Sequence, residues 1–174
     1  MFRSTDRRRS GYTLIEILIV VVMLGIASAM VIPSLGSTDV LRVQSTVRAI
    51  VADINYAQSD ALARQQGRAI IFDTTNNKYA IVEVRGSSLS PSTDTIYAVD
   101  LNNERKFHSA RIQAASFDGD NILVFDELGG PVTEPGSNVP SAGGSITVVG
   151  SGSVFTINVE PYTGRVTVTR VSGP

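Results

Sequence analysis

"GYTLIEILIVVVMLGIASAMVIP", residues 11–33, decides how this chain is read. From Tyr12 to Ile32 the one charged side chain is Glu16. At about 1.5 Å per residue, a helix of that length reaches roughly 30 Å, the thickness of a bilayer core. Ahead of it, Arg3, Arg7, Arg8 and Arg9 outweigh Asp6. The positive-inside rule keeps such a head in the cytoplasm. The pattern predicts one spanning helix with its amino end inside and the following residues exported. Within that helix Glu16 is out of place, because a charge well inside a membrane costs about 2.5–3.5 kcal/mol. Nothing between Tyr12 and Ile32 can pair with it.

Three ordinary readings of the segment fit poorly. A cleavable secretory signal ends in small residues, and Ala27-Ser28-Ala29 imitates such a site. The apolar stretch before it is too long, however, and Glu16 stands where a signal peptide wants hydrocarbon. Arg8-Arg9 suggests a twin-arginine signal, but Ser10, Gly11 and Tyr12 follow, and then the acid. A plain signal anchor explains the basic head and the apolar run but gives Glu16 no purpose. A cut between Gly11 and Tyr12 would give it one. The new Tyr12 amine of one subunit could meet the Glu16 carboxylate of a neighbour, each neutralising the other where an unpaired charge is costly.

"SGYTLIEILIVVVMLGI" closely resembles the class III leader of type IV pilins and type II secretion pseudopilins. In that family a basic leader ends in glycine, an aromatic residue follows, and glutamate occupies the fifth place of the mature chain. Gly11, Tyr12 and Glu16 match those three positions; tyrosine in place of the usual phenylalanine is a mild departure. The resemblance implies a prepilin peptidase that cleaves after Gly11 and N-methylates Tyr12, and an assembly role for Glu16. It also implies a kink at Pro33, where many pilins carry proline.

Beyond the apolar run the helical period continues. Val43, Val47, Ile50, Val51, Ile54, Ala57, Ala61 and Leu62 recur at steps of three and four, which defines one apolar face. Arg42, Arg48, Asp53, Asp60 and Arg64 fall between them as solvated positions. Gly67 is able to take the left-handed conformation that ends helices. Pro33 and Gly36 should kink or locally melt the stretch. Read as one element, Tyr12 to Gln66 makes a helix of about 80 Å. After Gly67 the period changes to two. "RAIIFD" and "KYAIVEV" are joined by the turn residues Thr74 to Asn77, and "TIYAV", "ARIQAASF", "NILVF", "SITVVG", "VFTINVE" and "GRVTVTRV" follow. Residues 129–145, rich in Gly, Pro and Ser, read as an exposed loop.

The expectation is α+β: a long N-terminal helix, its first half membrane-spanning, packed on an antiparallel β-sheet head in a pilin-like plan. The boundaries are 1–11 leader, 12–35 membrane and filament-core helix, 36–67 amphipathic continuation, and 68–174 β-rich periplasmic head. "NILVFDELGG" and "VEPYTGRVTV" resemble the C-terminal half of the GspH/FimT pseudopilin domain.

The rest of the composition argues against chemistry. The 174 residues carry a net charge of −1, no cysteine, no tryptophan and one histidine, His108. Thiol nucleophiles, disulfide scaffolds and cysteine zinc sites are excluded, and there is no general attraction to nucleic acid. No phosphate loop and no G-x-S-x-G is present. Asp118, Asp120, Asn121, Asp126 and Glu127 have the oxygens a calcium ion wants but fail the EF-hand pattern, and "DGDN" is also a hairpin turn. DNA-uptake relatives resemble Gly-Arg-x-Arg after the turn glycine; here Gly164-Arg165-Val166-Thr167 lacks the second arginine. Arg165 and Arg170 differ by an odd number, which a regular strand places on opposite faces. Arg105, Lys106 and Arg111 lie near the middle of the chain. These features argue against nucleic acid as a partner.

The chain therefore reads as a non-enzymatic minor pseudopilin of a type II secretion pseudopilus, GspH-like and without cofactor or metal. The alternative is a FimT-like minor pilin of a type IV pilus or DNA-uptake machine. A membrane-anchored binding module that never polymerises is a third reading, and Glu16 counts against it. Expected partners are the prepilin peptidase, the other pseudopilins, the inner membrane, and secretion machinery or exported cargo. The expected location is the inner membrane in a single pass, with the head in the periplasm.

Overall fold

A computed structural model of the chain describes residues 11–31, 37–103, 107 and 109–173, the side chains of 29–31 and 37–39 excepted. It divides into two compact units, residues 1–38 and 39–174, each described by itself. The architecture is α+β. Helix α1 spans Leu14–Val31 and helix α2 spans Ser37–Arg64. Residues 32–36, with the kink positions Pro33 and Gly36, lie outside the described residues.

The apolar row on α2 does what its spacing predicts. Val43, Val47, Ile50, Ile54, Ala57 and Ala61 are buried in one core with residues from both sheets. Each large side chain buried there contributes about 1.5–3 kcal/mol. Leu62 departs from the row and is 56% exposed, because the burying face passes through Ala61 at the helix end. The stop also differs from expectation. Gln65, at φ 51°, takes the left-handed position. The Gln66 amide reaches back to the Ala61 carbonyl at 3.1 Å, the six-to-one bond of a Schellman end. Gly67 is needed for space: a Cβ there would lie 3.0 Å from Val84 Cβ and 3.2 Å from the Phe125 carbonyl oxygen.

The strands are β1 (Arg68–Asp73), β2 (Lys78–Glu83), β3 (Thr95–Asp100), β4 (Arg111–Phe117), β5 (Ile122–Phe125), β6 (Pro131–Val132), β7 (Gly144–Gly150), β8 (Ser153–Val159) and β9 (Val166–Ser172). They form two antiparallel sheets, ordered β3-β2-β1-β5-β6 and β4-β7-β8-β9. The Asp118-Gly119 turn carries the chain from one sheet to the other, with Phe117 and Asp120 exchanging backbone hydrogen bonds at 2.7 and 2.8 Å. "DGDN" is thus a tight turn.

Residues 129–145 are more than an exposed loop. They supply β6, and beyond it the Thr133 amide donates to the Val139 carbonyl at 3.0 Å and the Ser141 amide to the Pro131 carbonyl at 2.9 Å. Val132 packs with Ala69, Val84 and Val124 in a second, smaller core. Two-residue strands have no period, so alternation could not reveal this one.

Candidate assembly site

The start of α1 is built by Thr13. Its Oγ1 accepts the Glu16 amide at 3.3 Å, while its carbonyl accepts the amides of Glu16 at 3.1 Å and Ile17 at 3.3 Å. Thr13 is therefore the N-cap and Glu16 the third helical residue, the spacing of a capping box. That position also sets a carboxylate at the positive end of the helix dipole. The letters "TLIE" thus have a local use that the charge argument missed; threonine followed three residues later by glutamate was the signal that could have found it. Glu16 is exposed, Tyr12 is 80% exposed, and a Cβ at Gly11 would meet nothing within 4 Å. The Gly11–Tyr12 bond and the carboxylate both stand in open space at one helix end.

The remainder of α1 has no packing of its own. Leu14, Ile15, Leu18, Val21, Met23, Leu24 and Ile26 are each more than half exposed. A helix that is apolar all round needs an apolar environment from outside itself. Among the described residues no helix is long and apolar enough to cross a membrane. The 18 described residues of α1 come to about 27 Å at the helical rise. In sequence the apolar run goes on to Ile32, outside the described residues.

Residues 6–32 match the family model of the prokaryotic N-terminal methylation motif. No curated protein matches the chain significantly. Two crystal forms of the type IV minor pilin FimU from Pseudomonas aeruginosa PAO1 are similar in structure. One superposes with a TM-score of 0.52 at 16% identity, over 73% of this chain and 87% of that one. The other gives 0.50 at 16% identity, over 72% and 91%. The fold is pilin-like. The match to the motif and the match in fold together make this a type IV pilin-like chain.

The other sequence candidates are drawn into the architecture of the head. Asp118 accepts the Ser141 hydroxyl at 2.5 Å and the Ala142 amide at 3.0 Å. Asp126 accepts the amides of Leu128 and Gly130 at 2.9 and 2.7 Å. These carboxylates hold turns together, and no group of three or more metal-ligating side chains forms among the described residues. Arg165 donates to Glu160 at 2.6 Å, and Arg170 lies 5.8 Å from the Phe155 ring centroid. Arg105, Lys106 and His108 lie outside the described residues.

Three polar residues of α2 proved to matter in ways no period could show. Asp60, expected to be solvated, accepts from Arg68 Nε at 2.6 Å and from Arg64 Nε at 2.8 Å. The Arg68 side chain is only 2% exposed and that of Asp60 11%, so the guanidinium is buried against a carboxylate at the edge of solvent. Burial by itself would raise the Asp60 carboxyl, but the hydrogen bonds from Arg64 and Arg68 outweigh it and hold the group below the usual carboxylate range. Asp53 likewise faces inward and accepts the Tyr79 hydroxyl at 2.5 Å. Gln58 donates from one amide nitrogen to the carbonyls of Gly129 at 2.8 Å and Thr163 at 2.9 Å. It ties together the two turns whose sequences resemble the pseudopilin pattern. Gly164, at φ +65°, leaves the room: a Cβ there would lie 2.8 Å from that nitrogen.

Proposed function

We propose that this chain is a structural, non-enzymatic subunit of a type IV pilus-like filament, anchored in the inner membrane by its N-terminal helix with its head in the periplasm. A prepilin peptidase cuts after Gly11 and methylates the Tyr12 amine, and Glu16 then docks onto the amine of a neighbouring subunit. α1 joins the apolar filament core, which supplies the environment its exposed side chains lack. The observation that carries this reading is the methylation-motif match at residues 6–32, with Glu16 exposed in the first turn of an otherwise apolar α1. Within that class, the "NILVFDELGG" and "VEPYTGRVTV" patterns favour a minor pseudopilin of a type II secretion pseudopilus, touching secretion machinery or cargo. The likeness to FimU favours the second reading, a minor pilin of a type IV pilus.

The test is the intact mass and amino terminus of the membrane-extracted protein, from wild type and from Gly11→Ala. The expected wild-type product begins at N-methylated Tyr12, and Gly11→Ala retains the leader. A terminus at Met30, or an uncut wild-type chain, would overturn the reading. Loss of secretion rather than of surface pili in a deletion strain would select the pseudopilus.

A further inference from the structure

The second sheet ends at β9, which pairs with β8 on one side and, among the described residues, has no strand on the other. Six of its seven residues are exposed, and Val168 and Val171 are 46% and 64% exposed. An edge of this kind presents unpaired backbone amides and carbonyls to any chain that can lie along it. Val166, Val168 and Arg170 share the inner face, opposite Val159, Ile157 and Phe155 of β8. Between that face and α2 runs a groove of about 600 Å3, floored by Val47, Val51, Phe155 and Val168. The apolar layer that α2 and the sheet enclose elsewhere is left open here.

Charge indicates what covers it. Arg48 stands on the groove's α2 wall, and the Arg170 guanidinium lies over Phe155 at 5.8 Å. No carboxylate lines the groove among the described residues. β9 itself, Val166 to Ser172, carries no carboxylate to set beside Arg48, so a second copy paired through β9 lacks the matching charge. We propose that β9 and this groove receive an extended strand of another protein, apolar at the positions facing α2 and bearing a carboxylate beside Arg48. Backbone pairing to β9 gives the strand its hold, and the groove and Arg48 give it selectivity. This surface belongs to the head and does not depend on processing at Gly11.

The probes are two capped octapeptides of alternating threonine and valine, in which glutamate replaces the first or the last valine, with lysine analogues of each. They are added to the full-length chain in neutral detergent while backbone hydrogen exchange is followed. One glutamate peptide is expected to slow exchange across Val166–Ser172 and to bind about tenfold tighter than its lysine analogue. Arg48→Glu, an exposed helix position, should remove that preference without changing the melting temperature, and Val168→Lys should abolish binding. No protection of β9 by any peptide up to about 1 mM, or equal binding of the glutamate and lysine forms, would overturn the proposal. So would protection of β9 by phosphatidylglycerol nanodiscs alone, which would make the surface a lipid contact. Protection that grows with protein concentration without peptide would also overturn it, by making the occupant a second copy.

Discussion

Leu18 in α1 and Ile54 in α2 are both large aliphatic side chains within a helix, yet Leu18 is 55% exposed and Ile54 fully buried. α2 alternates an apolar row with polar residues and lays that row against two sheets of its own chain. α1 is apolar on every side and meets nothing within the described unit that would bury it. The head's stability is therefore set by contacts encoded in residues 39–174, whereas α1 has no such core among the described residues of its own unit. Substitutions in the two helices should separate cleanly when stability and assembly are read apart.

The largest effect is expected at the ion pair that joins the end of α2 to β1. Asp60→Asn leaves the Arg68 charge buried without its partner and should destabilise the head by about 3–5 kcal/mol in chemical denaturation of the full chain. Because the Asp60 carboxyl is held below its unfolded value of about 3.9, its contribution is present above that pH and fades as pH falls through the lower folded value. The gap between wild type and Asp60→Asn should accordingly narrow below about pH 4; a gap that stays constant down to pH 2 would remove the ion pair from the account.

Ile54→Ala comes next. A cavity in the middle of the core should cost about 2–4 kcal/mol by the same denaturation measurement. Gln58→Ala should cost about 1–2 kcal/mol and speed hydrogen exchange in residues 126–130 and 161–165 together, since one amide nitrogen serves both turns. Acceleration of only one turn would show that they are held independently. Leu18→Ala should change head stability by less than about 0.5 kcal/mol. A larger loss would mean that α1 leans on the head after all and would break the comparison.

The sequence made much of this legible. Eight strands announced themselves by alternation, and the α2 row by steps of three and four, because those elements bury one face and so leave a period. The failures share a different origin. β6 is too short to have a period, and the register of Leu62 is decided by where the sheets stop. The helix stop at Gln65 depends on a hydrogen bond back to Ala61, so the conspicuous glycine two residues later drew the attention. Asp53 and Asp60 looked like solvated positions, and Gln58 drew no reading, because their partners, Tyr79, Arg68, Gly129 and Thr163, lie outside the helix. At the candidate assembly site, charge and motif single out Gly11, Tyr12 and Glu16 for the proposal, while the cap at Thr13 required attention to backbone donors.

The arrangement of α2 also has a mechanical meaning. Val43 to Ala61 is a row about 27 Å long, and it is buried in one core with residues of both sheets. Tension entering at the N-terminal end of α2 and directed along its axis would load those contacts side by side, so the helix would have to shear out of the head as a unit. At its far end the Asp60–Arg68 pair and the Gln58 tie join the same helix to β1 and to two turns. The contacts that hold α2 in the head are thus arranged along the helix axis, and a pull at one end of it would be shared among them.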